Sequence, residues 1–185
     1  VLPKPLAGYF GGTAVGCVGG EVSIAHASYT AGGAYTVSDP GVAARDTTGK
    51  LIGLKAGSTL YMYEVSNSCG TSSVSASVTV HPLPEMYPLV GKTVLLTGSV
   101  VNLRGSSPDG TWTSSDANIV TVNGWGDVMA HQPGLASVTY SRTSDKGCVA
   151  GITTQVSVVG AATPLFQMQP NPAKGTVTIK FRNTA

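Results

Sequence analysis

The stretch GKLIGLKAGSTLYMYEVSNSCG, residues 49–70, has a second version later in the chain, GDVMAHQPGLASVTYSRTSDKGC, residues 126–148. Both begin with a glycine and a charged residue and pass through two apolar residues and another glycine to an aromatic residue. Three pairs of landmarks keep a constant offset of 77 residues: Gly49 with Gly126, Gly57 with Gly134, and Tyr63 with Tyr140. The same offset places Tyr35 on Trp112. A constant shift over about thirty positions indicates an internal repeat.

Each repeat contains short segments with the apolar alternation of a β-strand. Val74, Ala76, Val78 and Val80 form an unbroken period of two in the first repeat. Turn residues recur about every eight to twelve residues, which is the spacing of an antiparallel sandwich. We therefore predict an all-β protein with two tandem antiparallel β-sandwiches and a C-terminal strand.

Proline-rich segments set the predicted domain limits. HPLPEMYP, residues 81–88, separates the repeats, and its prolines cannot join a central β-ladder. The predicted organisation is the end of a preceding linker at 1–7, the first repeat at 8–82, a linker at 83–88, the second repeat at 89–160, and a linker with a final strand at 161–185. Since the chain starts with neither an initiator Met nor a signal peptide, we expect it to be part of a longer protein.

The composition argues against several classes of partner. Hydrophobic residues make up 42% of the chain and charged residues only 11%, against about 25% in a typical protein. The net charge of +2 comes from scattered Lys and Arg, which gives no basic stripe for nucleic acid. No run approaches the ~20 apolar residues of a membrane helix. We expect no nucleic-acid partner and no membrane insertion.

The sequence offers no set of residues for catalysis or for a cofactor. His26, His81 and His131 do not fall in a metal-ligand spacing, which favours packing or surface roles. The glycine-rich segment GGTAVGCVGG, residues 11–20, lacks the Lys-Ser/Thr ending of a phosphate loop. A calcium site among turn aspartates stays an alternative. We expect a non-enzymatic protein without a cofactor.

Both repeats resemble a known family. The segments AGGAYTVSDPGVAARDTTGKLIGLKAGSTLYMYEVSNSCG and GTWTSSDANIVTVNGWGDVMAHQPGLASVTYS are similar to bacterial Ig-like repeats of group 2, the intimin/invasin-like kind, of surface and secreted proteins of Bacteroidota. The resemblance implies a tandem Ig-like fold at the cell surface or outside the cell. It implies no activity, because such modules are scaffolds as often as binders.

The end of the chain resembles a second family. PLFQMQPNPAKGTVTIKF, residues 164–181, looks like the start of a C-terminal sorting domain of type IX secretion, with Pro170, Asn171 and Pro172 as its turn motif. An ordinary linker and strand is the alternative. The resemblance implies the type IX secretion machinery as a partner and a truncated sorting domain. We expect the final strand, residues 176–181, to lie outside the second sandwich, on an exposed sheet edge or on a neighbouring molecule.

Three cysteines lie in the two repeats. In Ig-like sandwiches the strands next to Cys17 and Cys69 lie in opposite sheets, so the resemblance implies a Cys17–Cys69 disulfide in an exported protein. Two reduced core thiols are the alternative. The second repeat has PLVGK where the first has VGCVGG. Cys148 is therefore predicted to be a free thiol.

Two exposed turns carry candidate functional residues. Tyr35 and Trp112 are expected to fill the sandwich cores, whereas Trp125, in NGWGD, is flanked by glycines and is predicted to be exposed, so it is the candidate contact if a repeat binds a ligand. DTT, residues 46–48, resembles the O-glycosylation acceptor of Bacteroidota, with Thr47 as the acceptor residue.

These observations predict a structural or adhesive region, a stalk or spacer, of a secreted or cell-surface protein. Two alternatives stay open. The first is a glycan- or protein-binding module that acts through loop residues such as Trp125. The second is a set of accessory domains of a secreted hydrolase.

Overall fold

The computed structural model describes residues 3–160, 166–168 and 179–181. These residues form β-strands connected by turns: β1 Tyr9–Gly11, β2 Ala14–Cys17, β3 Ala25–Ala27, β4 Ala34–Val37, β5 Ala43–Arg45, β6 Leu51–Gly53, β7 Gly57–Asn67, β8 Gly70–His81, β9 Val94–Leu96, β10 Val100–Asn102, β11 Thr111–Ser114, β12 Val120–Val122, β13 Asp127–Ala130, β14 Gly134–Thr143, β15 Val149–Val159, β16 Phe166–Met168 and β17 Ile179–Phe181. The predicted all-β class is confirmed. Within the described ranges no helix is long and apolar enough to cross a bilayer.

The chain divides into two compact units. Unit 1 comprises Val1–Met86 together with Ser141–Gly151, and unit 2 comprises Tyr87–Tyr140 together with Ile152–Ala185. The end of the β14–β15 hairpin thus belongs to unit 1, although it follows most of the second repeat in sequence.

Unit 1 is built around a four-stranded sheet with the order β2-β8-β7-β4. The alternation of β7 sends every second side chain inward, and its buried residues include Tyr61, Tyr63 and Val65. The core of unit 1 lies between this sheet and the chain around the β5–β6 pair. Val78 and Val80 of β8 contribute from the sheet, and the other side contributes Val22, Val42, Ala43 and Leu51. Burial of these apolar side chains is the main stabilising contribution to the unit.

Unit 2 repeats this plan. Its sheet order is β11-β14-β15-β9, and a second sheet has the order β10-β13-β12. The core lies between the two sheets and contains Leu95, Leu103, Val120, Val128, Ala130, Ala136, Val138, Val156 and Val158. Strands β11 and β12 start and end 77 residues after β4 and β5, so the offset seen in the sequence also holds for the strands.

A buried tyrosine ties one sheet of each unit to the loop before its edge strand. The Tyr63 hydroxyl donates to the Thr30 carbonyl at 2.5 Å and accepts from the Gly33 amide at 2.9 Å. The Tyr140 hydroxyl makes the same pair of bonds with the carbonyl and amide of Ser107, at 2.5 and 3.1 Å. Both rings are 1% exposed. A buried phenol without such partners would cost a few kcal/mol.

The disulfide joins Cys17 to Cys148, with a Cα–Cα distance of 5.6 Å, so the predicted Cys17–Cys69 bond and the predicted free thiol at Cys148 are wrong. Cys17 lies beside His81, at the last residue of β8, because β2 runs parallel to β8 in the same sheet. Cys69 precedes the first residue of β8 and is exposed. The twelve residues of β8 separate these positions by roughly 40 Å, and no disulfide can span that distance.

The final strand finds its partner in the segment just before it. β17 pairs antiparallel with β16 in a two-stranded sheet, with Phe166 opposite Phe181. The final strand lies outside the two sheets of the second sandwich, as predicted, but it pairs with β16 and not with an edge strand of that sandwich, so the expected docking on a sheet edge is wrong. Pro170, Asn171 and Pro172 lie outside the described residues.

Replacing Tyr63 by Phe should destabilise unit 1. The change leaves the Thr30 carbonyl and the Gly33 amide without their phenol partner, so we expect a loss of about 1–3 kcal/mol in the free energy of unfolding. Urea denaturation measures it. Tyr9→Phe is the control, since that ring is 59% exposed. Equal stabilities of the two variants would contradict the role of the hydroxyl.

Peptide mapping without reductant should recover one disulfide-linked pair, Cys17 with Cys148. Cys148→Ser should lower the melting temperature, because the bond joins residues 131 positions apart and a loop of that length is worth up to about 5 kcal/mol in the chain-entropy model. Cys69→Ser should leave the melting temperature unchanged. A linked peptide containing Cys69 would refute this pairing.

Candidate functional site

An open cleft of about 790 Å³ lies in unit 1. Its lining combines aromatic rings with charged and hydroxyl side chains, chiefly Phe10, His26, Tyr29, Tyr35, Arg45 and Tyr61. The volume falls in the range of roughly 300–1,000 Å³ that holds small ligands. Apolar ring faces with a few polar groups are the usual lining of such sites.

His26 is the centre of the aromatic cluster. Its Nε2 lies 2.7 Å from the Ala7 carbonyl, which can only accept, so Nε2 carries the proton. In the neutral imidazole, Nδ1, 2.8 Å from the Tyr35 hydroxyl, then accepts from that hydroxyl. The imidazole also stacks on the Tyr29 ring, with centroids 4.1 Å apart and planes 7° from parallel. With both nitrogens bonded, His26 positions the neighbouring rings.

Tyr35 lies between the core and the cleft. Its ring packs on the core of unit 1 and lines the cleft. Burial raises the Tyr35 pKa to about 12, with further contributions from the neighbouring Tyr29, Tyr61 and Tyr63 phenols. Burial also raises the pKa of Tyr61, and the positive charge of Arg45 partly opposes that effect.

Arg45 is held over the Tyr35 ring, with its guanidinium carbon 4.7 Å from the ring centroid. Its Nε donates to the Gly49 carbonyl at 3.0 Å. Gly49 has a φ of +88°, and a Cβ there would lie 2.7 Å from a terminal nitrogen of Arg45. The positive φ favours glycine at this position of the turn. Lys50 pairs with Glu21 at 2.7 Å on the same rim.

Trp125 lies on a turn in unit 2 and is 80% exposed, as the flanking glycines suggest. The Asn123 side-chain oxygen accepts from the amides of Trp125 and Asp127, both at 2.9 Å. The Asp127 carboxylate accepts from the side-chain amides of Asn123 and Asn102, at 2.9 and 2.8 Å. Both bonds lower the pKa of the Asp127 carboxyl, and the bond from Asn123 has the larger effect. The turn is therefore ordered before any ligand binds.

A smaller cleft of about 330 Å³ adjoins Trp125. Trp112 and Arg104 also line it, together with Ser106 and Ser107. Trp112 packs against the core of unit 2, as predicted, and contacts the Tyr140 ring at a centroid distance of 4.8 Å. The cleft thus has one exposed indole and one half-buried indole.

The other sequence-predicted residues lie apart from both clefts. Thr47 is exposed in the β5–β6 turn, where the Asp46 carboxylate accepts from Thr48 and from the Lys50 amide. The Thr48 hydroxyl bond is the main reason why the Asp46 pKa is lowered. His131 bonds the Thr121 hydroxyl at 2.8 Å. No group of three or more metal-ligating side chains occurs among the residues that the structure describes.

The unit 1 cleft was missed at the sequence level, although the two repeats contain a signal for it. At the offset of 77, which the strands share from β4 onward, two residues of the first-repeat cleft fall on apolar side chains: Arg45 on Val122 and Tyr61 on Val138. Positions that a shared fold does not constrain are where two copies can differ in function.

No protein-family model matches the chain. An uncharacterized protein of Clostridium acetobutylicum is 34% identical over 113 residues, and the match covers 57% of this chain and 12% of that protein. A solved structure of a SusE-like surface-located polysaccharide-binding protein, from the Bacteroides thetaiotaomicron heparin utilisation locus, is similar at 13% identity with a TM-score of 0.52. That match covers 84% of this chain and 34% of the other.

A C-terminal fragment of intimin, solved with the intimin-binding domain of the translocated intimin receptor, has 18% identity and a TM-score of 0.33, covering 68% of this chain and 51% of the fragment. The structural likeness to the SusE-like protein concerns the fold alone. The chain is an all-β protein of tandem Ig-like sandwiches.

Alkaline titration should show that Tyr35 ionises well above the usual pH for a tyrosine. The Tyr35 pKa is about 12 in the folded protein and near 10 in an unfolded chain. The contribution of Tyr35 to stability is therefore intact below about pH 10 and is lost as the pH rises from about 10 to 12. Tyrosinate absorbance of the folded protein should lose its latest phase in Tyr35→Phe and keep it in Tyr9→Phe. A late phase that persists without Tyr35 would contradict the assignment.

Proposed function

We propose that this chain is a non-catalytic Ig-like repeat region of a secreted or cell-surface protein, where it works as a stalk, a spacer or part of an adhesin. The observation that carries the proposal is the duplicated sandwich, in which two units repeat the sheet order and the buried-tyrosine hydrogen bonds. Tandem repeats of this kind extend a protein by addition, without a cofactor or a catalytic centre.

Two observations support an extracytoplasmic location. The Cys17–Cys148 disulfide fits an oxidising compartment. The SusE-like protein with the similar fold is described as surface located. Accessory domains of a secreted hydrolase would share both features and stay an alternative context for the same scaffold role.

A finer part of the proposal concerns export. We propose that the region of Pro170, Asn171 and Pro172 begins a type IX sorting domain in a protein of a member of the Bacteroidota, with the type IX secretion machinery as its partner. The support is the sequence resemblance of residues 164–181.

Deleting residues 164–185 should separate export from stability. The deletion removes β16 and β17, which pair with each other, so the melting temperature of the sandwiches should stay nearly unchanged. Export of the full-length parent, measured by cell fractionation and surface proteolysis, should be abolished. The control deletes an equal length of the parent outside the sorting region. Continued export of the truncated parent would disprove the sorting role.

A second candidate function is glycan or protein binding through Trp125. A large indole that is 80% exposed on a hydrogen-bonded turn gains little for folding, whereas exposed tryptophans are common anchors at interfaces. The adjoining cleft with Arg104 and Trp112 gives such a ligand polar and aromatic contacts.

Replacing Trp125 by Ala should test this candidate without unfolding the protein. If the residue anchors a ligand, binding detected on a glycan array should weaken by about 2 kcal/mol or more. The matched control is Leu135→Ala, because Leu135 is 65% exposed. Unchanged binding in Trp125→Ala, or an equal loss in the control, would eliminate the Trp125 site and leave the scaffold proposal in place.

A further inference from the structure

The aromatic and charged lining of the unit 1 cleft is not required by the fold. Unit 2 builds the same sandwich with Val122 and Val138 where unit 1 has Arg45 and Tyr61, since β12 and β14 occupy the positions of β5 and β7. Val138 is 0% exposed and Val122 packs against the core, so apolar residues fill these positions in unit 2. Since the fold does not require polar side chains at these positions, their presence in unit 1 indicates a function of the cleft.

Arg45 is an exposed cation that keeps donors available. Among the residues that the structure describes, no carboxylate lies within 4.0 Å of its guanidinium, whereas Lys50 already pairs with Glu21. The Nε donates to the Gly49 carbonyl, and the Tyr35 ring fixes the plane. The two terminal amino groups can therefore bond a planar anion such as a carboxylate in a bidentate manner.

Tyr29 gives the cleft that Arg45 lines an exposed aromatic surface. The ring is 44% exposed, and it is supported from behind by the stacked imidazole of His26. His26 is itself fixed by Ala7 and Tyr35. A ring held in this way loses little conformational entropy when a ligand binds.

The charge and shape of the cleft select the ligand. Arg45, Lys50 and Glu21 leave one net positive charge, and the hydroxyls of Thr13 and Ser23 add polar groups to the lining. A ligand that matches has flat apolar faces, hydroxyls and a carboxylate. We propose that this cleft binds an acidic saccharide, whose sugar rings contact Tyr29 and whose carboxylate contacts Arg45.

This proposal does not depend on the scaffold role or on the Trp125 site, and both would stand if the unit 1 cleft bound no saccharide. To tell the two clefts apart, the experiment includes a variant in each of them.

Titration calorimetry of the whole chain with a hexamer of galacturonic acid tests the site, with a neutral hexamer of galactose as the comparison. We expect the acidic hexamer to bind at least about tenfold more tightly, since a charge-assisted bond to Arg45 is lost with the neutral sugar. Raising the salt from about 50 to 500 mM should weaken binding of the acidic hexamer, because exposed charges are screened.

The variants locate the contact. Arg45→Met should weaken binding about tenfold or more, and Arg45→Lys should be intermediate because it keeps the charge without the planar fork. Tyr29→Ala, a change of an exposed side chain, tests the stacking surface if Arg45→Met fails to fold. Lys92→Met, at an exposed lysine of unit 2, should bind like the wild type, and Trp125→Ala reports whether the ligand occupies the other cleft.

Several results would overturn the proposal. Absence of binding by the acidic hexamer would do so, as would wild-type affinity in Arg45→Met and Tyr29→Ala. Loss of binding in Trp125→Ala with no loss in Arg45→Met would move the ligand to the other cleft. Equally tight binding of a hexapeptide of glutamate would show that the cleft recognises negative charge and not a saccharide.

Discussion

The structure depends on burying a tyrosine in each sandwich. Tyr63 and Tyr140 lie inside their units with 1% exposure, and a buried phenol must find hydrogen-bond partners. The partners are backbone groups 33 residues or fewer upstream, so each tyrosine holds a loop against the sheet. The loop can come so close only because Gly33 and Gly110 have no side chain to collide with the phenol ring. One side chain thereby fixes where the edge strand of the sheet begins.

Much of this architecture can be predicted from the sequence, because it rests on local patterns. Alternation of apolar residues identifies β7 and β8 without knowledge of their partners, and the constant offset of 77 aligns Tyr63 with Tyr140. The exposure of Trp125 also follows from local features, since two glycines flank it in a turn. In each case the physical cause lies within a few residues of the feature.

The disulfide and the unit 1 cleft could not be predicted in this way. Cys17 meets Cys148 because β2 joins the sheet beside the last residue of β8, and because the end of the β14–β15 hairpin belongs to unit 1. Neither the pairing of β2 with β8 nor the place of the hairpin can be predicted from the residues next to the cysteines. The cleft brings together side chains from separate strands and loops, such as Phe10, Tyr29 and Arg45, without any regular spacing. Only the difference between the repeats indicates it.

The β5–β6 turn and its counterpart in unit 2 explain how one fold can carry different surfaces. Asp46 and Asn123 occupy equivalent positions and bond equivalent backbone amides, while Gly49 and Gly126 supply the positive φ. The two turns share these backbone bonds, whereas the side chain at one position between them differs. It is Thr48 in one unit and Trp125 in the other. A repeat built in this way can stay a scaffold in every copy and still acquire a separate binding surface in each.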